Sequence, residues 1–443
     1  MKEIRTLVRN PLMKLLGAGL LLFCFDQSSL AQQQGELNGD IKSADQTTPR
    51  SLQLAQVEDS VTEAEERELE ASEDPHNIAN TNREKQRDIE EKGIAAREAG
   101  LEIYTSLRLR NPEKRGVEDG GSRAGLGLEI PLFEKSYVFA RYEAGFDTVS
   151  AFKDDEDDTN FKETHFKRRG YVVLDVPTTD VIIGKNWSTY YHVGAFTDRL
   201  TNTGGDGGGV FNANTDGGAT GTGRADAVFQ TKVLLDFLPN KLFKPFELNL
   251  QVQRGNPIPF GGEAEYGTSI GLSSVMVTER NFALGVAYNH ADIDLNTNPS
   301  LRDIGITGSA QALLIGARSF GERWYAGAVL GGYKNHETTD QGVYFDGWGG
   351  ELYGQYQLSN RWWLVGAYNV LEPDSDQPQA GAFRKKYAVA GVRLTFDKFR
   401  RMIFANIRFN DDIDADGGSN SDVFTIGVRW DLSKSAWHTP KIR

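Results

Sequence analysis

The chain of 443 residues contains a single cysteine and only four methionines. The cysteine, Cys24, lies within residues 1–31, which have the pattern of a secretory signal peptide. This stretch has a basic start, an apolar core from Leu15 to Phe25 and a small-residue cleavage site at Ser29-Leu30-Ala31. We therefore predict a signal peptide over 1–31 and a mature chain that has no disulfide or thiol chemistry.

Long apolar runs are missing after the signal peptide, and no stretch reaches the roughly 18 apolar residues that a membrane-spanning helix needs. Positive charge is also in deficit, since 49 lysines and arginines face 62 aspartates and glutamates. Binding to nucleic-acid phosphates requires clustered basic residues, so the composition argues against a nucleic-acid partner. Only helices and closed barrels satisfy every backbone polar group in lipid. If the chain spans a membrane, it must therefore do so as a β-barrel.

Residues 32–100 differ in kind from the rest of the chain. Gln32 to Arg50 is polar and lacks an apolar period, which predicts disorder. Apolar residues return at helical spacing between Leu54 and Ala64, and residues 83–99 are again helix-like. We predict an acidic, helical or disordered periplasmic extension over 32–100. It is either a solvated spacer or a helix that oligomerises or contacts the cell wall.

From Leu101 to Leu432 the apolar residues recur with a period of two, which is typical of β-strands. In the segment 246–252, for example, one face carries Phe246, Leu248, Leu250 and Val252, and the other carries Glu247, Asn249 and Gln251. We count sixteen such segments, joined by links that are alternately short and long. The pattern predicts an all-β fold: an antiparallel 16-stranded transmembrane β-barrel over 101–432, with the apolar face toward lipid and a tail over 433–443.

Aromatic residues gather where the strands meet the short links. Their rings are amphipathic and are stable at the depth of the lipid headgroups, so these residues predict an interfacial girdle. The residues of the predicted girdle are Phe133, Tyr137, Phe243, Phe246, Trp324, Tyr325, Trp362, Trp363, Phe396 and Phe399.

One link, residues 187–223, is much longer than the others and is rich in glycine. A loop of this length without secondary structure is uncommon in a compact domain unless it has a function. Sixteen strands enclose a bore that side chains cannot fill. We therefore predict that the loop folds inward and narrows the lumen. Its acidic residues Asp198, Asp206 and Asp216 would bring negative charge there.

Alternation along the neighbouring strands points several cations into the same lumen. These residues are Arg108, Arg123, Arg168 and Arg224. Arg224 is followed by Ala225, which we expect to face lipid. An acidic loop opposite a basic wall sets up a transverse field, which favours the passage of small hydrophilic solutes and ions.

Short motifs occur in a fixed order along this part of the chain. They are Ser122-Arg123-Ala124-Gly125-Leu126-Gly127, Gly184-Lys185-Asn186-Trp187, Thr197-Asp198, Gly204-Gly205-Asp206, Gly223-Arg224 and Gly427-Val428-Arg429-Trp430. In the order and spacing of these motifs, residues 101–432 resemble the Gram-negative general porins. The resemblance implies a 16-stranded, trimeric diffusion pore of the outer membrane whose third loop forms the constriction, or eyelet.

The resemblance also implies roles for individual residues. Asp198 and Asp206 would be acidic eyelet residues, and Arg123, Arg168 and Arg224 would form the opposing basic cluster. The match at Arg168 needs a one-residue gap, which leaves Lys167 and Arg169 open in its place.

Two positions depart from the family pattern. Asn202 stands where many members have Glu, and Ser106 stands at a Lys position of the first strand, with Arg108 two residues further on. Both changes lower the charge of the eyelet, and we take Asn202 and Ser106 as its polar residues.

The sequence Asp412-x-Asp414-x-Asp416-Gly417 is similar to the start of a calcium-binding loop. Its twelfth position is Val423 rather than a bidentate Glu, so an acidic surface loop is the favoured interpretation. We expect no cofactor. Acidic outer loops enrich cations at the mouth of a pore, which predicts a mild cation preference.

Catalysis is not expected. A barrel hydrolase needs a nucleophile beside a histidine, and the histidines lie mostly in predicted loops, strand ends or tails without a nucleophile motif. The alternatives that stay open are a substrate-selective channel for sugars or charged small solutes, and a structural or adhesive barrel. The predicted partners are outer-membrane lipid and lipopolysaccharide, two further copies of the chain in a homotrimer, and small hydrophilic solutes.

Overall fold

A computed structural model describes most of the chain beyond the predicted extension. The described residues are 99–133, 136–150, 165–201, 203–236, 243–278, 280–396 and 400–438. The predicted signal peptide and almost all of the predicted extension lie outside these residues. No helix in the described ranges is long and apolar enough to cross a membrane.

The described residues form one antiparallel sheet of sixteen long strands and one strand of two residues. The strands are β1 (Gly100–Pro112), β2 (Glu118–Asp119), β3 (Arg123–Phe133), β4 (Ser136–Phe146), β5 (His165–Val176), β6 (Thr179–Trp187), β7 (Arg224–Leu235), β8 (Phe246–Arg254), β9 (Thr268–Val277), β10 (Phe282–Ala291), β11 (Ala310–Gly321), β12 (Trp324–Thr338), β13 (Tyr344–Gln357), β14 (Trp362–Pro373), β15 (Lys385–Phe396), β16 (Arg401–Asn410) and β17 (Val423–His438). Three short helical segments lie between strands: α1 (Tyr191–Gly194) and two 3-10 turns, Asn212–Asn214 and Pro299–Ile304.

The sheet closes on itself. Each long strand pairs with the next one along the chain, and β1 pairs with β17 from Gly100 opposite His438 to Pro112 opposite Thr425. The short strand β2 pairs only with β1, within the link that precedes β3. The predicted 16-stranded antiparallel barrel is confirmed. Closure leaves no exposed sheet edge, as a barrel in lipid requires.

The links alternate in length around the barrel, as predicted. The link between β5 and β6 is only 177–178, whereas 292–309 joins β10 to β11. The link before β11 contains the 3-10 turn Pro299–Ile304, which ends at Gly305 with φ of 89°, and β11 starts at Ala310. One strand extends beyond the predicted barrel of residues 101–432. β17 continues past Leu432 to His438, where it pairs with the start of β1.

The apolar face of the sheet is the exposed face. In β8, Leu250 and Val252 are 44% and 41% exposed, whereas their neighbours Asn249 and Gln251 are 1% and 3% exposed. In a soluble protein the apolar face would be the buried one. A closed barrel that presents Val, Leu, Ile and Phe on its outside has the pattern of a transmembrane barrel.

Part of the predicted aromatic girdle is wrong. Trp324 and Trp362 are exposed on the outside, but Tyr325, Trp363 and Tyr137 are buried on the inner face. Adjacent residues of a strand point to opposite faces, so only one residue of each consecutive aromatic pair reaches lipid.

Two β-bulges change which residues face inward. In β5, Glu143 of β4 pairs with Arg169 and Ala144 pairs with Lys167, so Arg168 is the extra residue. In β7, the pairing shifts by one residue near Ala227, which has φ of 47°. The second bulge puts Ala225 on the inner face with no exposed surface, so the prediction that Ala225 faces lipid is wrong.

Candidate functional site

The long loop between β6 and β7 is hydrogen-bonded to buried residues of the strands β12 and β13. Glu351 of β13 accepts hydrogen bonds from the Gly208 amide (2.8 Å) and the Thr197 hydroxyl (2.6 Å). The hydroxyl of Tyr325 in β12 donates to the Phe196 carbonyl at 2.7 Å. Glu351, Thr197 and Tyr325 are all buried.

Glycine allows the loop backbone to approach the wall. A Cβ atom on Gly207 would lie 2.4 Å from the carbonyl oxygen of Gly350, and one on Gly349 would lie 2.4 Å from the carbonyl oxygen of Gly207. Both distances are below normal contact, so no larger residue fits without a shift of the backbone. The Tyr333 hydroxyl donates to the Gly207 carbonyl at 2.6 Å and holds this contact.

The second half of the loop, which returns to β7, is hydrogen-bonded to buried residues of the strands β8, β9 and β10. The Gln251 side chain donates to the Gly221 carbonyl, and the Asn289 side chain donates to the Thr220 carbonyl, both at 2.9 Å. The hydroxyl of Ser269 also donates to the Thr220 carbonyl, at 2.7 Å. Buried amide and hydroxyl groups of β8, β9 and β10 therefore satisfy a loop backbone that has little secondary structure of its own.

Replacing Glu351 should loosen the loop. Glu351→Ala removes the acceptor of two buried donors, and each donor left without a partner costs about 1–3 kcal/mol. We expect the amides of residues 205–210 to exchange with solvent deuterium roughly tenfold faster or more. Gln357→Ala, at the far end of the same strand, is the matched control and should leave their exchange unchanged. Equal exchange in both variants would show that Glu351 does not anchor the loop.

Aromatic side chains pack the first turn of the loop against its base. The rings of Trp187 and Tyr191 stack with centroids 3.8 Å apart, and the Phe211 ring lies edge-on to Trp187 with centroids 6.4 Å apart. Arg224 lies over the Trp187 ring at 4.8 Å, a cation–π contact. The start and the end of the loop, at Trp187 and Arg224, are therefore joined by side chains as well as by the sheet.

A cavity of about 230 Å³ lies between the loop and the strands β1, β3, β4 and β5. Its apolar lining includes Trp187, Tyr191 and Phe211. Its charged lining consists of Arg108, Arg123, Glu143, Arg168, Arg169, Asp198 and Arg224. The structure thus brings together all four of the arginines predicted for the eyelet and one of the three aspartates.

Glu143 is the centre of the basic wall. It is 1% exposed, and its oxygens lie 3.0 Å from Arg168 Nε, 2.7 Å from Arg169 Nη2 and 3.8 Å from Arg123 Nε. The Tyr104 hydroxyl also donates to Glu143, at 2.7 Å. One carboxylate thus orders three guanidinium groups, because charge-assisted bonds of this kind fix both position and orientation.

The remaining predicted residues lie in different surroundings. Asp206 accepts a hydrogen bond from the Tyr387 hydroxyl and lies 3.4 Å from the Lys385 ammonium, both on β15. Asp216 is paired with Lys185 at 2.9 Å and lies 4.0 Å from Arg224.

Asp198 accepts a hydrogen bond from the Tyr191 hydroxyl at 2.9 Å. Ser106 accepts one from Arg108 Nε at 2.9 Å. Asn202 lies outside the described residues.

Sequence reasoning missed Glu143 as a site residue, and it left Arg169 open only as a substitute for Arg168. Alternation places Glu143 on the inner face but does not show that arginines surround it. Arg168 and Arg169 are consecutive, so a regular strand would point only one of them inward. The bulge points both inward, at 8% and 4% exposure. A bulge depends on the pairing with β4, and the sequence of β5 alone contains no signal for it.

The three aspartates of the candidate calcium loop have other partners. Asp412 accepts hydrogen bonds from Arg408 Nη2 at 2.8 Å and from the Lys386 amide at 2.6 Å. Asp414 and Asp416 accept hydrogen bonds within their own turn, from Asn420 and from the Gly418 amide. Within the described ranges, no group of three or more acidic, histidine or cysteine side chains is arranged to hold a metal ion.

No protein-family model matches the chain, and neither does any curated protein. Several solved structures share its fold. OmpF of Salmonella typhi, solved in complex with daunomycin, matches with a TM-score of 0.59 and 17% identity over 75% of this chain and 97% of that one. The anion-selective porin from Comamonas acidovorans matches with a TM-score of 0.56 and 14% identity over 76% and 100%.

The outer-membrane channel DcaP of Acinetobacter baumannii matches with a TM-score of 0.54 and 10% identity, over 76% of this chain and 98% of that one. All three matches cover nearly the whole of the solved chain and about three quarters of this one. The closed ring of sixteen long strands, the apolar exterior and these matches lead to one conclusion: residues 99–438 have the fold of the outer-membrane general porins.

Proposed function

We propose that the protein is an outer-membrane porin, a water-filled channel through which small hydrophilic solutes and ions diffuse passively. The observation that carries the proposal is a closed barrel whose outside is apolar and whose inner face is lined by Asn, Gln, Arg and Glu. Sixteen strands enclose more space than inward side chains can fill. An apolar exterior requires lipid around the barrel, and a polar interior requires water within it.

The loop 188–223 is proposed to narrow the channel. Its backbone bonds with β8 to β10 and with β12 to β14 support this, because a loop bonded to both sets of strands extends from its own root across the inner face. Passage is then limited by the space that the loop leaves. Selection in such a channel comes from pore diameter and from the charges that line it, and catalysis has no part in it.

The outside of the barrel is proposed to meet outer-membrane lipid and lipopolysaccharide, and three copies of the chain are proposed to associate. One of the solved structures that share the fold, OmpT of Vibrio cholerae, is described as a trimer form; it matches with a TM-score of 0.51 and 13% identity. A trimer gives a direct prediction, since each copy contributes its own pore.

Purified protein added to a planar lipid bilayer in potassium chloride should produce stepwise increases in current. A trimer that inserts as a unit should close in three equal sub-steps under high voltage. Single steps without sub-levels would contradict the trimer and leave the channel intact. Correctly folded protein that produces no current would contradict the channel itself.

A substrate-selective channel is the second candidate. The observation that favours it is the arginine-lined cavity beside the loop, since a general diffusion pore needs no pocket. The two candidates differ in one measurable property: the current through a selective channel saturates or is blocked as a preferred solute is added, whereas the current through a diffusion pore scales with bulk conductivity.

A further inference from the structure

The cavity beside the loop carries an excess of positive charge. Among the residues that line it, five are arginines and two, Glu143 and Asp198, are carboxylates. Two negative charges cannot balance five guanidinium groups, which always remain protonated. The described lining is therefore short of negative charge by three, and Asp216, which lies outside the lining and 4.0 Å from Arg224, offsets one of these charges.

Two of these arginines have buried donors without partners. Arg169 is 4% exposed, and its Nη2 bonds to Glu143, but its Nη1 has no hydrogen-bond partner among the described residues. The same holds for Nε of Arg224. A buried donor without an acceptor is costly, and the cost is larger when the group is charged. Arg169 and Arg224 both line the same cavity, so an oxyanion that entered it would lie beside both guanidinium groups.

The arrangement around Arg169 is fixed before any solute arrives. The bulge in β5 sets two consecutive guanidinium groups on the inner face, and Glu143 holds both of them. The Arg224 guanidinium lies over the Trp187 ring, with its Cζ 4.8 Å from the ring centroid. Rigid guanidinium forks match the paired oxygens of carboxylates and phosphates better than they match a single spherical ion.

We propose that this cavity is a binding site for a small oxyanion, a phosphate or carboxylate group carried by a solute in transit. The inference rests on the proposed channel function and names the solute class that the channel retains. The oxyanion lies between Arg169 and Arg224, and an organic part of the solute packs against the apolar lining of the cavity, which includes Phe211. The volume of about 230 Å³ restricts the solute to a small molecule.

This site is opposite in sign to the mild cation preference that the acidic outer loops predict. The two effects act at different places. The outer loops raise the concentration of cations at the mouth by long-range attraction, which salt screens. The cavity acts at short range on one solute at a time, and its effect persists at high salt because the groups are buried.

The test is block of the chloride current through single channels in a planar bilayer. Inorganic phosphate or malonate replaces part of the chloride at constant ionic strength. We expect either anion to reduce the current with a saturating dependence on its concentration. Block by both assigns the site to oxyanions in general, and block by phosphate alone assigns it to phosphate groups.

Variants locate the site. Arg169→Gln and Arg224→Gln should each raise the half-blocking concentration by about tenfold or more, because each removes a charge-assisted hydrogen bond. Arg429→Gln is the control: Arg429 also faces the lumen, does not line the cavity, and is paired with Asp431. We expect its half-blocking concentration to match that of the wild type. Arg169 is the more deeply buried of the two, so its variant is more prone to misfold. If it does not fold, Arg224→Gln still tests the site.

The outcomes separate this inference from the channel function. A wild-type channel that conducts chloride but shows no saturable block by either anion would overturn the oxyanion site alone. Equal weakening by Arg429→Gln and Arg169→Gln would also overturn it, since block would then reflect the overall charge of the lumen. A folded wild-type protein without any current would overturn the channel and the site together.

Discussion

Deletion of residues 199–220 should increase the single-channel conductance several-fold. This segment contains the loop backbone that is bonded to Glu351, Tyr333 and Asn289, and the sixteen strands close the barrel without it. Without the loop, the narrowest part of the channel would be the wall of the barrel itself. Larger hydrophilic solutes, which the intact channel excludes, should then pass.

The control for this deletion is a shorter deletion in another long link, residues 414–419 between β16 and β17. That link lies at the same rim, and its turn is bonded mainly within itself. We expect the conductance of this variant to equal that of the wild type. If both deletions raise the conductance equally, or neither does, the loop 188–223 is not the constriction.

A charge placed on the outside of the barrel should have the second large effect. Leu250 lies in the middle of β8 and is 44% exposed on the apolar face. Leu250→Arg would place a guanidinium group near the middle of the bilayer, which costs about 2–4 kcal/mol in a β-barrel. We expect a much smaller fraction of this variant to fold on reconstitution into lipid vesicles. The folded fraction is measured by gel electrophoresis as the band that shifts when the sample is heated.

Leu250→Phe is the matched control, because it keeps the face apolar and the side chain large. It should insert as the wild type does. Equal insertion of the Arg and Phe variants would mean that the apolar face does not contact hydrocarbon. The fold would then be a soluble one with an unexplained exposed apolar surface.

The strands could be predicted because successive side chains in a barrel wall face lipid and the lumen in turn. Apolar and polar residues therefore alternate along each strand, as Leu250 and Gln251 do. The same alternation explains why part of the predicted girdle is wrong: Tyr325 and Trp363 each follow a tryptophan that reaches lipid, so each points inward.

The site was less predictable because its geometry depends on pairing between strands. Four of the five arginines that line the cavity could be named from alternation and from the family resemblance. The participation of Arg169 depends on a bulge opposite Glu143, and the participation of Glu143 depends on three arginines from two other strands. Asp206 is paired with Tyr387 and Lys385, which lie about 180 residues further along the chain. No local sequence pattern connects Asp206 to these two partners.

The predicted absence of cysteine from the mature chain makes one measurement direct. Leu107 and Arg108 are adjacent in β1; Leu107 is on the apolar outer face, and Arg108 lines the cavity in the proposed lumen. Leu107→Cys and Arg108→Cys are each reconstituted in lipid vesicles and treated with a charged, membrane-impermeant thiol reagent. We expect rapid labelling at position 108 and none at position 107. Labelling at 107 with none at 108 would contradict a lipid-facing exterior around a water-filled lumen.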